Sequence, residues 1–257
     1  MSPREARTFH AQALVLRHME YGEADRILTL FTLERGKIKA IVKGVRKIKS
    51  RKAGHLEPFT QVNLFFAQGR DLAIITQAET INAYIKLKDN LVLIGYAAYM
   101  VELLERFTYE EGENRVLYNL IIDSLTRLEE NPVALTVVHY FEVRLMDLLG
   151  FRPELQTCRQ CSKPIQPVDQ YFSPQMGGVL CPVCGKLNPE VWPVSMRALK
   201  YFRHFQRSKY SQVKMLMIQE DTEKELKDLI ERYLTYLLEH DLKSPQFIKD
   251  VTRPYNP

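Results

Sequence analysis

Four cysteines in two identical pairs constrain this chain more than any other feature of its sequence. Cys158 and Cys161 form one C-x2-C pair, Cys181 and Cys184 form the second, and 19 residues separate the pairs. Two such pairs can supply the four sulfurs of a tetrahedral zinc site. Because four thiolates leave no coordination position for water or substrate, we expect one structural Zn²⁺ per chain. Two redox-active C-x2-C pairs, or buried thiols without a metal, are the alternatives.

The sequence shows no signal for export or membrane insertion. Its longest nearly continuous apolar run, Leu91 to Val101, has 11 residues, whereas a membrane-spanning helix needs about 18. The first seven residues lack the apolar stretch of a signal peptide. We therefore expect a cytoplasmic protein, and in that reducing compartment cysteines serve as metal ligands or redox groups more often than as disulfides.

The first eighty residues show the alternation of apolar and polar side chains that is typical of β-strands. Turn residues at 34 to 36 and 68 to 71 separate neighbouring runs as hairpin loops would. A sheet this small is hard to stabilise with open edges, which favours a closed barrel over residues 1 to 80. The predicted strands are Ala11 to Arg17, Arg26 to Leu33, Lys37 to Val45, Gln61 to Phe66 and Leu72 to Gln77.

From about residue 81 the apolar residues recur with the helical period. We expect a first helical part at 81 to 154, the cysteine module at 155 to 190 and a second helical part at 191 to 257. The first part contains three predicted helices, Leu91 to Phe107, Arg115 to Leu128 and one that starts at Asn131 and Pro132 and stops at Gly150. The fold class is therefore α+β, an N-terminal five-stranded barrel followed by an α-helical domain with an embedded four-cysteine zinc module.

Two helix starts and an irregular tail are predicted after the cysteines. Ser195 suits the first position of one helix, and Thr222 with Glu225 has the spacing of a capping box for another. The stretch from Lys243 to Pro257 has no clear period and is predicted to be irregular.

Positive charge is concentrated in the N-terminal part of the chain. The formal net charge is +5, and residues 1 to 80 hold 14 Lys and Arg against 8 Asp and Glu, a difference of +6. Nine of those cations lie in what we call the basic segment, residues 35 to 52, which has no acidic residue. They are Arg35, Lys37, Lys39, Lys43, Arg46, Lys47, Lys49, Arg51 and Lys52.

The basic segment predicts a surface for a phosphate chain. Lys37, Lys39 and Lys43 have the same parity on the predicted strand, so we expect them on one face of the sheet. A charged strand face that continues into a flexible basic loop suits a nucleic acid, and an anionic membrane surface is the alternative. Candidate stacking partners for bases are Tyr21, Phe59 and Phe66, which would fit the core equally well.

A second basic stretch lies on the helix that Ser195 opens. Its cations recur at helical spacing, so they could form a secondary nucleic-acid surface. The same pattern fits an ordinary solvated helix face. The candidates are Arg197, Lys200, Arg203 and Arg207.

Motifs of common enzyme classes are absent from the sequence. It has no Gly-rich phosphate loop, no H-E-x-x-H and no G-x-S-x-G, and its six histidines are scattered. We therefore expect no catalysis and no nucleotide cofactor. Two rivals remain, a metal-dependent nucleic-acid enzyme with undetected carboxylates and a zinc-containing adaptor that binds proteins.

Several strings, in this order along the chain, resemble the bacterial RecO recombination mediator family. They run from Gly22 to Gly178, and the resemblance extends over essentially the whole sequence. The strings are Gly22-Glu23-Ala24-Asp25-Arg26, Leu28-Thr29-Leu30-Phe31-Thr32, Gly36-Lys37, Lys43-Gly44-Val45-Arg46, Leu56-Glu57-Pro58-Phe59, Leu148-Leu149-Gly150-Phe151-Arg152-Pro153, Phe172-Ser173-Pro174 and Gly177-Gly178.

The resemblance implies an N-terminal OB fold and a helical domain with an embedded zinc module. It implies a non-enzymatic protein of recombinational DNA repair that binds single- and double-stranded DNA, anneals complementary strands and is associated with the nucleoid. It also implies two protein partners, RecR and the single-stranded-DNA-binding protein, with which the family loads recombinase onto coated DNA. Some family members lack the cysteines, so zinc rests on the residues of this chain.

Overall fold

The computed structural model describes residues 8–109, 112–130 and 133–252. The chain divides into two compact units, of which the first combines Met1–Glu130 with Ser244–Pro257 and the second is Asn131–Lys243. We refer to them as the barrel unit and the cysteine unit. The barrel unit therefore takes residues from both sides of the cysteine unit in the sequence.

Five strands in the barrel unit form a sheet that closes on itself. The strands are β1 (Thr8–Tyr21), β2 (Asp25–Thr32), β3 (Gly36–Val42), β4 (Gln61–Ala67) and β5 (Ala73–Asn82). They bond in the order β1-β2-β3-β5-β4, and β4 pairs in turn with β1. All these pairs are antiparallel except β3 with β5, which is parallel. All five predicted strands are present, although β1 and β5 extend further than the sequence indicated.

Inward-facing aliphatic and aromatic side chains fill the interior of this sheet. Leu28 and Leu30 of β2 are fully buried, and Leu28 lies opposite the buried Ala40 of β3. Phe66 is also fully buried, and its ring stacks on that of Phe9 with centroids 4.5 Å apart. Burial of each Leu or Phe side chain contributes about 1.5 to 3 kcal/mol, so this core stabilises the barrel unit.

Among the described residues up to Glu130, three helices follow the sheet in the barrel unit. They are α1 (Ile85–Lys88), α2 (Leu91–Phe107) and α3 (Arg115–Glu130). The bounds of α2 are those predicted, and its start is capped by Asn90, whose Oδ1 accepts from the amide of Val92 at 2.9 Å. Helix α3 covers part of the outer face of the sheet, because the Tyr118 ring lies 6.5 Å from that of Phe31, which is 1% exposed.

The cysteine unit combines helices with a small sheet. Its elements are α4 (Ala134–Leu149), β6 (Gln170–Ser173), β7 (Gly178–Leu180), α5 (Pro182–Lys186), β8 (Trp192–Val194), α6 (Met196–Arg207), α7 (Tyr210–Val213) and α8 (Glu220–Leu238). Helix α4 ends as predicted at Gly150, whose φ of 81° is a left-handed conformation that glycine adopts without strain. The predicted start at Asn131 and Pro132 lies outside the described residues.

One predicted helix cap is confirmed and the other is wrong. The Ser195 hydroxyl accepts from the amide of Ala198 at 3.1 Å at the start of α6. Helix α8 begins at Glu220 instead of behind Thr222, which lies within its first turn. Glu225 bonds Ser195 instead, accepting from its amide and its hydroxyl at 2.6 Å each. The carboxylate predicted to cap α8 thus connects α8 to the start of α6.

The predicted irregular tail is wrong over most of its length, because residues 244 to 252 form helix α9 (Ser244–Thr252). Glu102 of α2 accepts from the amide of Ser244 at 2.9 Å and from its hydroxyl at 2.6 Å. Ile248 is 3% exposed and packs on α2 at Gly95, where a β-carbon would lie 3.0 Å from the Ile248 side chain. This short helix depends on a partner far away in the sequence, which is why its own pattern does not predict it.

Candidate metal centre and nucleic-acid interface

The two cysteine pairs occupy equivalent turns. The amide of Ser162 donates to the carbonyl of Cys158 at 2.8 Å, and the amide of Gly185 donates to the carbonyl of Cys181 at 2.8 Å. In both turns the amide four residues after the first cysteine closes the loop. Each turn therefore holds the two thiols of its pair close together, as the C-x2-C spacing predicts.

The four sulfur atoms converge on one point. They lie within 4.8 Å of one another, and the Sγ atoms of Cys161 and Cys181 are 3.9 Å apart. In a tetrahedral site with Zn–S bonds of about 2.3 Å, neighbouring sulfurs are about 3.8 Å apart. The cluster can hold a metal ion, and its size and donor set are compatible with zinc.

Burial and hydrogen bonding act in opposite directions on the pKa of Cys158 and in the same direction on that of Cys184. Burial raises the pKa of Cys158, but the amides of Cys161, Cys181 and Gln160 outweigh it and lower that pKa to about 6. The Cys181 amide donates to Cys158 Sγ at 3.3 Å. Burial is the larger cause that raises the pKa of Cys184, the neighbouring thiols add to it, and together they bring this pKa to about 12. A cation among the sulfurs would favour the thiolate form of all four.

A short hairpin lies between the cysteine pairs. Strands β6 and β7 pair antiparallel with Tyr171 opposite Leu180. A β-carbon at Gly185 would collide with the Tyr171 ring, so only glycine allows the second cysteine turn to pack this closely on the hairpin. Strand β8 pairs on the other side of β6 and was not predicted, since it has three residues and contains Pro193.

The basic segment starts on β3 and continues into a turn. Lys39 is exposed and Ala40 is buried, which confirms the predicted alternation. The prediction that the strand runs to Val45 is wrong, because β3 ends at Val42 and Lys43 lies in the following turn. Lys43 is therefore not the third member of a row on the strand face.

Acidic residues of the β1–β2 hairpin fasten the turn after β3. The amide of Gly44 donates to Asp25 Oδ1 at 2.7 Å, and the Gly44 φ of 64° requires the left-handed conformation. The Arg46 guanidinium pairs with Glu20 at 3.1 Å and donates to the carbonyl of Glu23 at 3.3 Å. Arg46 thus has a structural role that its place in a charge run did not indicate.

Lys37 lies at the carboxyl end of helix α2. Its Nζ donates to the carbonyl of Glu105 at 2.7 Å and to the carbonyl of Thr108. A cation at this position stabilises the helix dipole and satisfies carbonyls that have no partner inside the helix. Lys37 is therefore half-buried within the barrel unit and poorly placed for a phosphate.

Two further cations of the basic segment have contacts within the barrel unit. The Nζ of half-buried Lys52 lies 3.4 Å from the carbonyl of Ile75, to which it donates. The Arg35 guanidinium lies 3.7 Å from the centroid of the Phe9 ring, a cation–π contact. The remaining five cations of the segment have exposed side chains, namely Lys39, Lys43, Lys47, Lys49 and Arg51.

The second basic stretch is divided by burial. The Nε of Arg203 donates to the carbonyl of Leu155 at 2.7 Å. Desolvation by burial, together with the nearby charge of Arg207, lowers the pKa of Arg203. Arg197, Lys200 and Arg207 are exposed on α6, and Arg203 instead anchors this helix to the chain before the first cysteine.

The three candidate stacking residues differ in exposure. Phe66 belongs to the barrel core, Phe59 is half-buried, and Tyr21 is 52% exposed. Met19, on the same face of β1 as Tyr21, is 51% exposed and was not singled out from the sequence. The alternation of Arg17, Met19 and Tyr21 along one strand is the signal that could have identified it.

Among residues 8–109, 112–130 and 133–252, no helix has the length and apolar character needed to cross a membrane.

Comparisons with known proteins agree with the sequence resemblance. Residues 6–84 match the family model described as "Recombination protein O N terminal", and residues 88–246 match "Recombination protein O C terminal". A "DNA repair protein RecO" of Roseiflexus sp. is 34% identical over 245 residues, which is 95% of this chain and 86% of that protein. A protein of the same name from Dehalococcoides mccartyi is 32% identical over 95% of this chain and 96% of its own length. Another from Pelotomaculum thermopropionicum is 34% identical over 93% of this chain and 93% of its own length.

Proposed function

The chain belongs to the RecO family of DNA repair proteins, and on that premise we propose that it binds single- and double-stranded DNA and anneals complementary strands. The observation that carries the proposal is the basic segment, where seven of the nine cations are exposed beside a closed sheet with no acidic residue between them. Such a surface attracts phosphate chains regardless of their sequence.

The contacts of the basic segment support a division of its nine cations. Lys43, Lys47, Lys49 and Arg51 are exposed in the turn and loop after β3 and, with Lys39, form the proposed phosphate surface. Lys37, Arg46 and Lys52 hold backbone or carboxylate oxygens of the barrel unit, and the ninth cation, Arg35, lies over the Phe9 ring. The closed five-stranded topology supports an OB-type barrel, a class in which the outer sheet face and neighbouring loops bind oligonucleotides.

Annealing needs no chemical energy source in this scheme. Cations that bind two strands weakly and reversibly reduce the repulsion between their phosphates, and base pairing then supplies the free energy. We propose that the protein acts without covalent catalysis in the cytoplasm, at the nucleoid. Its proposed partners are RecR and the single-stranded-DNA-binding protein, with which it would help to load recombinase.

The cysteine cluster is proposed to hold one structural Zn²⁺ per chain. Four thiolates from Cys158, Cys161, Cys181 and Cys184 would fill the coordination sphere and cross-link the two cysteine turns. The ion would contribute to the folding of the cysteine unit, since a preformed site does not exist in the unfolded chain.

The proposed function is tested by titrating labelled single- and double-stranded oligonucleotides at several salt concentrations. If about four exposed cations meet phosphates, log K for single strands should fall against log salt with a slope of about 3. A flat salt response would refute the phosphate surface. The same oligonucleotides with Mg²⁺ or Mn²⁺ test the rival enzyme, which requires cleavage or ligation products.

Annealing is tested with complementary oligonucleotides coated with the cognate single-stranded-DNA-binding protein, with and without this chain. We expect faster duplex formation when the chain is present. An unchanged rate, from protein that binds the bare strands, would refute the annealing role.

A further inference from the structure

An apolar row crosses the outer face of β1, β2 and β3 beside the basic segment. Met19 pairs with Ile27, and Ile27 pairs with Ile41, so one apolar residue from each strand occupies the same level of the sheet. Ile27 and Ile41 are the neighbours of the inward-facing Leu28 and Ala40 and therefore point away from the core, and Met19, directly opposite Ile27, shares their face. With a strand spacing of about 4.8 Å, the row is roughly 10 Å wide.

The row lies where the outer face is open. At the other end of β1 and β2, the outward-facing Leu14 and Phe31 are 0% and 1% exposed, and Tyr118 stacks against Phe31. At the row, Met19 is 51% exposed and Ile27 and Ile41 are half-buried. Apolar side chains thus continue along this face past the part that the helices cover, and exposed apolar patches of this kind mark binding surfaces.

One exposed lysine precedes the row on β3, another follows it in the turn after β3, and an aromatic ring lies at its edge. Lys39 lies two residues before Ile41 on the same face of the strand, and exposed Lys43 follows two residues after it, in the turn. Tyr21 has the same parity on β1 as Met19 and is 52% exposed. An apolar strip between exposed lysines matches a single nucleic-acid strand, whose bases are flat and apolar and whose phosphates are anionic.

We infer that the row formed by Met19, Ile27 and Ile41, with Tyr21 at its edge, contacts the faces of unpaired bases and makes the barrel unit prefer single-stranded over double-stranded DNA. The inference rests on the proposed DNA binding and adds the part of the ligand that the basic segment does not recognise. In a duplex the base faces are stacked on one another, so the row has nothing to contact there. The phosphates of both forms still meet the lysines.

The test separates this contact from the electrostatic one. The double variant Met19→Gln with Ile41→Thr makes both side chains polar with little change in size, keeps a β-branched residue on β3 and changes no charge. We expect its affinity for a single-stranded oligonucleotide to fall about fivefold or more, while duplex affinity and the salt slope stay as in the unaltered protein. The matched control is Met217→Gln with Ile81→Thr, two exposed residues outside the row, which should change neither affinity.

A second variant gives a result that misfolding cannot produce. Met19→Tyr adds a ring to the row, and we expect single-strand affinity to rise about threefold or more, because bases stack well on aromatic rings. The inference is overturned if the double variant binds single strands as the unaltered protein does, if duplex binding falls equally, or if the control pair loses as much. If the unaltered protein binds neither form of DNA, the proposed function fails together with it.

Discussion

The contacts of a lysine, more than its place in a charge run, decide what it can do. Lys37 and Lys47 both belong to the basic segment, yet the Lys37 ammonium bonds two carbonyls at the end of α2 while Lys47 is exposed in the loop. The sequence could not separate them, since Glu105 lies 68 residues away from Lys37. Their different surroundings should give opposite phenotypes.

We predict that Lys37→Ala lowers the free energy of unfolding by about 1 to 2 kcal/mol, because the end of α2 loses a cation and two hydrogen bonds. Its DNA affinity should change less than that of Lys47→Ala, which removes an exposed cation and should leave stability within about 0.5 kcal/mol. Urea unfolding and oligonucleotide titration of both variants measure the two quantities. Equal losses of affinity would show that Lys37 meets phosphate after all.

The cysteines, in contrast, could be assigned from the sequence alone. A C-x2-C pair fixes the distance between its two thiols through a few backbone bonds, so local spacing is enough to bring them together. The convergence of the two pairs then follows from the β6–β7 hairpin between them. The contact of Arg203 could not be predicted, for the reason that applies to Lys37, since its partner carbonyl at Leu155 lies 48 residues away.

At the scale of elements, the strands and long helices followed from periodicity, and the short elements did not. Helix α2 has the predicted bounds because 17 residues contain several helical repeats. Helix α9, with nine residues, is stabilised by Glu102 and by the space at Gly95, neither of which its own sequence contains. The end of β3 was missed because the turn depends on Asp25 of a neighbouring hairpin.

Gly95 is the position at which this docking can be tested. We predict that Gly95→Leu undocks α9, because even a β-carbon would lie 3.0 Å from Ile248, and that stability falls by about 1 to 3 kcal/mol. Hydrogen exchange of residues 244 to 252 should become faster. The control Gly54→Leu places a side chain where nothing lies within 4 Å, and it should leave that exchange unchanged. Unaltered protection in Gly95→Leu would contradict the contact.

The basic segment and the second basic stretch should differ in their effect on DNA binding. We predict that Lys43→Glu, Lys47→Glu and Lys49→Glu together reduce single-strand affinity by about tenfold or more, because these exposed cations are adjacent in one loop. The comparison set is Arg197→Glu, Lys200→Glu and Arg207→Glu, the exposed cations of α6, for which we expect a smaller loss. Both sets change the net charge by the same amount, so equal losses in the titration would refute the basic segment as the main phosphate surface.

At the scale of the whole molecule, the proposed metal and the proposed DNA surface belong to different compact units. The barrel unit has its own core of side chains such as Leu28, Leu64 and Phe66. The cysteine unit contains a separate cluster in which Cys158 and Cys184 pack with Leu180. Two cores that share no residue can lose order separately, which makes the roles of metal and phosphate surface distinguishable by experiment.

We predict that Cys181→Ser releases zinc and destabilises the cysteine unit while the barrel unit keeps its DNA binding. Structural zinc contributes about 10 to 16 kcal/mol of binding free energy in small zinc-dependent folds, so a missing ligand should cost the cysteine unit much of its stability. The exposed cations of the basic segment lie in the other unit, so single-strand affinity should stay within about twofold and the salt slope should not change. Elemental analysis, thermal unfolding and titration measure the three effects.

Lys47→Glu is the reciprocal control, and we expect it to retain zinc and to bind single strands less tightly. Protein purified without chelator that contains no metal would refute the zinc site, and a Cys181→Ser variant that loses both zinc and DNA binding would show that the two units depend on each other.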